Sequence, residues 1–459
     1  MSSLGIRMMR STLAGLLAWA LCSGTAAAAP GDPLTPVFRL DDGIVISSDF
    51  GLARDASGNL LAIWKSPGTI FGRWLTADGA PLGPVMTLTP PDSGLIRPLS
   101  HQAVAIAPDR SFVIAYGRSV YGGREGVFAQ RYDADGTPLG GEIRVSVPML
   151  GEHIRDLAIT VAGLIDRVAM DPVVGMDAEG NFCIAWLQAV EINGDPKLRT
   201  YGDLTGTRIN LQRFRADGRR LGLITPLATA YDPILVTPRF ALLLIASTGI
   251  VANPRIAVQD DGRFAVAWNR FRRESNILIP SAGYVTDIEY RTYDARGAGQ
   301  IDVQPVISGE SLGELQDMAA AGPDHYLLAW NGIGLTHAQR WNADGSPGGS
   351  DYAFAFADRE PPARDVYASV AGAGDGSAVL TWQTYTAGQV DVMATLFDAG
   401  GNAYGAPFQV NSASPNHEQK PLATAGPDGR FTIGWDFIDV LDSRGGEFQA
   451  RGIEGFTAP

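Results

Sequence analysis

The feature that most constrains this chain is a phrase it repeats. MDAEGNFCIAW, ending at Trp186, returns as QDDGRFAVAW ending at Trp268 and as GPDGRFTIGW ending at Trp435. Aligned on the closing aromatic, the phrase occurs seven times, at Trp64, Tyr116, Trp186, Trp268, Trp330, Trp382 and Trp435, with spacings of 52, 70, 82, 62, 52 and 53 residues. A second phrase follows each aromatic, as in AQRYDADGTPLG, LQRFRADGRRLG and AQRWNADGSPGG. Self-similarity at a period near 50 residues dictates a repeat architecture: one unit is too small to bury its apolar face alone and must stack on its neighbours.

Each unit reads as four strands. Strand a is short and rich in small residues (QAVAIAP), and strand b is an unbroken apolar run (FVIAY, FAVAW, YLLAW), as befits a strand covered on both faces. Strand c ends at the ADG turn, where glycine reaches positive φ without a Cβ clash, and strand d follows (EIRVS, PFQVN). Such units in a ring predict an all-β fold, a seven-bladed β-propeller of four-stranded blades, with the recurring aromatic wedged between neighbours. The seventh unit stops after strand c at FQARGIEGF, and residues 33–42, PLTPVFRLDD, match the missing strand in pattern. An N-terminal strand that completes the last blade is therefore expected to close the ring and leave no open sheet edge. The pattern resembles the DGxFxxAW … VFAQRYDADGxxxGxEFxVN repeats of bacterial secreted and surface proteins over most of the chain. That resemblance implies a propeller-like fold. Its motif residues are turn formers and core aromatics, so it carries over no catalytic residue.

The N-terminus predicts export. Arg7 and Arg10 precede the apolar core STLAGLLAWAL, and AAAA before Pro30 supplies small residues for cleavage, so residues 1–28 read as a signal peptide and 29–459 as a single domain, periplasmic or secreted. Cleavage removes two arginines and no acid, moving the formal net charge from -13 to -15. An acidic surface of this size argues against nucleic acid and anionic membrane as partners. Cys183 alone remains, which leaves no intrachain disulfide. No mature segment reaches the ~20 apolar residues of a bilayer span, FALLLIASTGIVA being the nearest. A monomer is expected.

Two places offer chemistry. The a–b and c–d hairpins are tight, whereas residues 146–169, 187–208, 223–252 and 269–287 lengthen connections on the opposite face around the third and fourth units. Insertions gathered on one face mark a binding face. One of them, EHIRDLAITVAGLIDRVAM, places Ile154, Leu157, Ala158, Val161, Leu164, Ile165 and Val168 at helical spacing, which predicts a short helix capping the channel mouth. The second place is a ring. Fifteen residues before each aromatic stand Asp49, His101, Asp171, Asn253, Leu315, Tyr367 and Lys420, six of them polar in an otherwise apolar segment. His101, Tyr367 and Lys420 are candidate acids or bases there, with Asp49 and Asp171 as charge partners. The plainer reading is that strand ends are solvated.

Other matches carry little. GESLG at residues 309–313 lacks the strand-to-helix elbow of a nucleophilic serine, DADG offers too few oxygens for calcium, and the five histidines have no zinc spacing. No metal or cofactor is expected. The leading expectation is an exported binding module for a glycan or protein partner, through a loop-rich face carrying Arg199, Tyr201, Arg272, Arg273 and Tyr284. The alternative is a polysaccharide lyase at the channel mouth. In it, His101 or Tyr367 removes a proton beside a carboxylate that Lys420 neutralises.

Overall fold

The computed structural model describes residues 28–41, 50–66, 69–88, 102–118, 126–146, 169–189, 207–230, 250–273, 284–310, 313–355, 367–386, 389–412, 416–438 and 447–456. All regular structure among them is β. After β1 (Phe38–Arg39), the first four-stranded sheet holds β2 (Phe50–Arg54), β3 (Leu60–Ser66), β4 (Thr69–Leu75) and β5 (Met86–Thr87). The second holds β6 (Ala103–Ile106), β7 (Phe112–Arg118), β8 (Gly126–Tyr132) and β9 (Ile143–Arg144), and the third β10 (Ala169–Met176), β11 (Phe182–Ala189), β12 (Thr207–Phe214) and β13 (Arg220–Ala230). β14 (Ile250–Val258), β15 (Phe264–Arg273), β16 (Tyr284–Tyr293) and β17 (Gln304–Glu310) form the fourth. β18 (Glu314–Ala320), β19 (His325–Asn331), β20 (Leu335–Asn342) and β21 (Tyr352–Ala355) form the fifth. The last strands are β22 (Ala368–Gly372), β23 (Ala378–Thr386), β24 (Gln389–Phe397), β25 (Ala403–Gln409), β26 (His417–Ala425), β27 (Phe431–Ile438) and β28 (Glu447–Ile453).

These last seven strands and β1 lie in one eight-stranded sheet. The join is a single parallel pairing, Val390 against His417, where the start of β24 meets the start of β26. The seven separate blades expected from the sequence are thereby corrected: five four-stranded blades stand alone, and the remaining strands share one sheet. A repeat period counts units, whereas hydrogen bonding between neighbours decides how many sheets they make. β1 pairs with β28, Phe38 opposite Ala450 and Arg39 opposite Gln449, and Leu40 N–H donates to the Phe448 carbonyl at 2.7 Å.

The core lies between consecutive sheets. Trp268 on β15 packs with Cys183, Ala185 and Leu211 of the preceding sheet, and Trp186 on β11 with Val113, Ala115 and Ala129. Trp64 on β3 packs with Phe448 and Ala450 of β28. These aromatics are thus wedges between neighbouring sheets rather than parts of one sheet's private core, while Trp435 packs within the eight-stranded sheet on Val379 and Val392 of the preceding unit. Close approach also restricts the inner strands to small residues: a Cβ at Gly372 would stand 2.0 Å from the Ala320 carbonyl oxygen of the preceding sheet. In the hairpins, Gly218 takes φ 86°, as the Asp-Gly turn requires.

A second set of ties runs from strand c to the following c–d turn at four units. Arg131 Nη1 donates to the Asp217 carbonyl at 2.8 Å, and Arg213 donates to the carbonyls of Ala295 and Arg296. Thr292 Oγ1 donates to the Ala343 carbonyl at 2.8 Å, and Arg340 to that of Ala399. The arginine in the QRY and QRW phrases is therefore a strap between neighbours.

Candidate mouth site

Strand a of several units opens on a bulge at the ring position singled out in the sequence. The register slips between Met170 and Val173, between Ala252 and Arg255, between Leu315 and Asp317, and between Gln419 and Leu422. Asp171, Asn253 and Lys420 each take φ 51°, in the left-handed region, and each precedes a proline. A non-glycine residue there costs about 1–3 kcal/mol, and a following proline further restricts the backbone. Three identical strained geometries at one level of the fold are a built feature, held by neighbours.

The group that holds Lys420, and its counterpart at Leu315, belong to a set of residues that the sequence reading passed over. They come immediately after the repeat aromatics, where the apolar run ends in Lys65, Asn269, Asn331, Gln383 and Asp436. All five are buried. Asn269 Oδ1 accepts the Leu315 N–H at 2.9 Å, and its Nδ2 donates to the Gly313 carbonyl at 3.1 Å. Gln383 Oε1 accepts the Lys420 N–H at 3.1 Å. At these two units the polar residue after the aromatic thus fixes the entry of strand a in the next, whereas the equivalents before Asp171 and Asn253 are Gly117 and Leu187. The signal for this was its position beside each aromatic.

Of the sequence-predicted residues, Tyr367 and Lys420 are brought together, the Lys420 ammonium lying 5.7 Å from the centre of the Tyr367 ring. Around them stand Gln383, Tyr385, Gln419 and Asp436. Gln383 Nε2 donates to the Tyr385 hydroxyl at 2.6 Å, and Gln419 Nε2 lies 3.5 Å from Asp436 Oδ2. Burial raises the Asp436 carboxyl above the usual carboxylate range. Lys420 and Gln419 pull it back and Asp41 adds to the rise. The cluster therefore combines an aromatic face, a phenol, an ammonium and a carboxyl group whose pKa is raised by burial.

Asn253 stands apart from that cluster, its Nδ2 reaching Asn269 Oδ1 at 3.2 Å and Glu314 Oε1 at 3.3 Å. Leu315 is buried, and Asp171 sits on its bulge in β10. Asp49, His101, Arg199, Tyr201 and the helix expected over 154–168 lie outside the described residues. Arg272 is held in a two-point pair by Asp287, with Nη2 to Oδ1 at 2.7 Å. Burial opposes charge on Asp287, but Arg272, the Gly309 N–H and Ser308 together keep its carboxyl below the ordinary range. The backbones of Arg273 and Tyr284 face each other across β15 and β16. Cys183 is buried, which pushes its thiol up to about 12, in keeping with an inert core residue. Among the described residues no group of three or more His, Cys, Asp or Glu side chains could hold a metal ion, and no helix is long and apolar enough to cross a membrane.

No protein-family model and no curated protein matches this chain. Among solved structures, the chain is similar to an ulvan lyase of a polysaccharide lyase family, bound to -[GlcA(1-4)Rha3S]-, with a TM-score of 0.52, 8% identity, and coverage of 93% of this chain and 94% of the other. It is also similar to an α-L-arabinofuranosidase from Fusarium graminearum complexed with an iminosugar inhibitor (TM-score 0.44, 10% identity, 93% and 98% covered). A third is the Aleuria aurantia lectin in complex with Fucalpha1-6GlcNAc (TM-score 0.37, 11% identity, 79% and 98% covered). The likeness is one of fold. The chain is an all-β propeller with four-stranded blades, and neighbours of that fold include glycan-active enzymes and a lectin.

Proposed function

We propose that this protein is an exported saccharide-binding propeller, which takes its ligand at the mouth of the ring, at the Tyr367–Lys420 cluster. The observation that carries the reading is that cluster itself: an aromatic ring under an ammonium, beside a phenol and amides, at a level where the backbone is held in strained geometry. Sugar rings stack their C–H faces on aromatic planes, and their hydroxyls need a mixed set of donors and acceptors fixed in place. Lys420 supplies a fixed cation, and the lyase of similar fold is bound to a glucuronate-containing chain. Together these favour an acidic saccharide.

The second reading, cleavage at the same mouth, draws on Asp436. A buried carboxyl with a raised pKa is suited to donate a proton to a leaving oxygen. Both readings are tested by screening residues 29–459 on an array of acidic and neutral polysaccharides, while product formation is followed by reducing-end assay and by absorbance near 235 nm. Binding without product supports the module. Product that disappears in Asp436→Asn supports the enzyme. No binding and no product sinks the saccharide reading. Export is checked by N-terminal sequencing of protein recovered outside the cytoplasm, with the cut after Ala28 expected.

A further inference from the structure

We infer that Gln383 is a positioning residue of the mouth site, fixing the Lys420 backbone with its amide oxygen and the Tyr385 hydroxyl with its amide nitrogen. The inference rests on the saccharide reading of that site. The orientation of the amide follows from its partners. The backbone N–H of Lys420 can only donate, so the group facing it at 3.1 Å is Oε1. The NH2 end therefore faces the Tyr385 oxygen at 2.6 Å and is the donor of that pair. With one donor already supplied to its oxygen, Tyr385 is set to use its own proton on an acceptor elsewhere. One side chain, 1% exposed, thus controls two groups of the cluster on two strands.

The comparison with Asn269 shows what is special here. Both residues follow a repeat aromatic, and both accept the N–H fifteen residues before the next one. The nitrogen of Asn269 is spent on the Gly313 backbone carbonyl, a purely structural use. The nitrogen of Gln383 reaches a side chain of the mouth instead. The longer Gln side chain at this unit is what makes that reach possible.

The test uses Gln383→Glu and Gln383→Leu in the otherwise intact chain, with the tetrasaccharide of alternating glucuronate and 3-sulfated rhamnose as probe. An ionised Glu still accepts from Lys420 but donates nothing to Tyr385; a protonated Glu does both. The titratable and charged groups nearby are Tyr367 and Tyr385, Asp391 on β24, which is held by Gln409 and Asn411, His417, Glu418 and Lys420 on β26, and Asp436 on β27. Their contribution is removed by taking the ratio to wild type at each pH. Gln383→Glu is expected to bind about five- to tenfold more weakly than wild type at pH 8, the worth of one hydrogen bond, and to recover toward wild type at pH 5. Gln383→Leu is expected to be weak throughout. Amide exchange at Lys420 gives a readout that needs no ligand: protection is expected to fall in Gln383→Leu and to persist in Gln383→Glu. Wild-type binding that neither variant changes overturns the inference. So does a Lys420 amide equally protected in all three. If wild type binds no saccharide, the functional reading fails, and the hold on Lys420 is judged by exchange alone.

Discussion

At the residue scale, the mouth stores two kinds of cost. The first is the left-handed backbone at Lys420. Lys420→Gly removes the Cβ conflict, so the folded state is expected to lose no stability in chemical denaturation, within about 1 kcal/mol, while saccharide binding is lost with the ammonium. A variant that unfolds more easily by several kcal/mol contradicts the strain. The second is the buried carboxyl of Asp436. Its folded-state pKa lies above the unfolded value, so the folded protein holds the proton more tightly and loses stability as pH rises through the folded pKa. Asp436→Asn is therefore expected to raise the melting temperature relative to wild type at pH 8, with the advantage shrinking on acidification to pH 4. A gain independent of pH contradicts the assignment.

At the element scale, the straps between units are the most exposed claim. Arg340 is 7% exposed and carries one carbonyl contact across to the neighbouring sheet, so Arg340→Ala is expected to cost about 2 kcal/mol in urea unfolding, from lost packing and a lost charged hydrogen bond. Thr292→Val, which removes a single neutral bond to Ala343, is expected to cost about 1 kcal/mol. Much of this level was legible in the sequence. The a–b–c–d reading of each unit follows from apolar runs and Asp-Gly turns, and β10 to β13 or β18 to β21 follow that order. What was not read from the sequence was the bulge at Asp171, Asn253 and Lys420, whose shared mark is only the proline that follows each. The sheet count was also out of reach, since the pairing of Val390 with His417 depends on how closely two neighbours approach. Of the mouth site, Tyr367 and Lys420 were visible as a polar interruption at fixed spacing. Gln383 and Tyr385 were not, because they end an apolar strand and read as its solvated tip.

At the scale of the whole molecule, the first described residues are joined to the last. The segment around β1 is bound to β28 through Gly31 N–H to the Glu454 carbonyl at 2.9 Å, Leu34 N–H to that of Gly452 at 2.9 Å, and the β1 ladder. Deleting residues 29–41 exposes the β28 edge, so a lower melting temperature and concentration-dependent association in light scattering are expected. A monomer of unchanged stability contradicts the role of that strand. The functional claim is tested most directly by calorimetric titration of the glucuronate–rhamnose tetrasaccharide into wild type, Tyr367→Ala and Lys420→Asn, the asparagine being chosen because Asn253 already tolerates the same backbone. Binding to wild type is expected, with at least a roughly tenfold loss, about 1.4 kcal/mol, in each variant with the fold intact. Wild-type binding that survives both substitutions contradicts a saccharide site at the mouth.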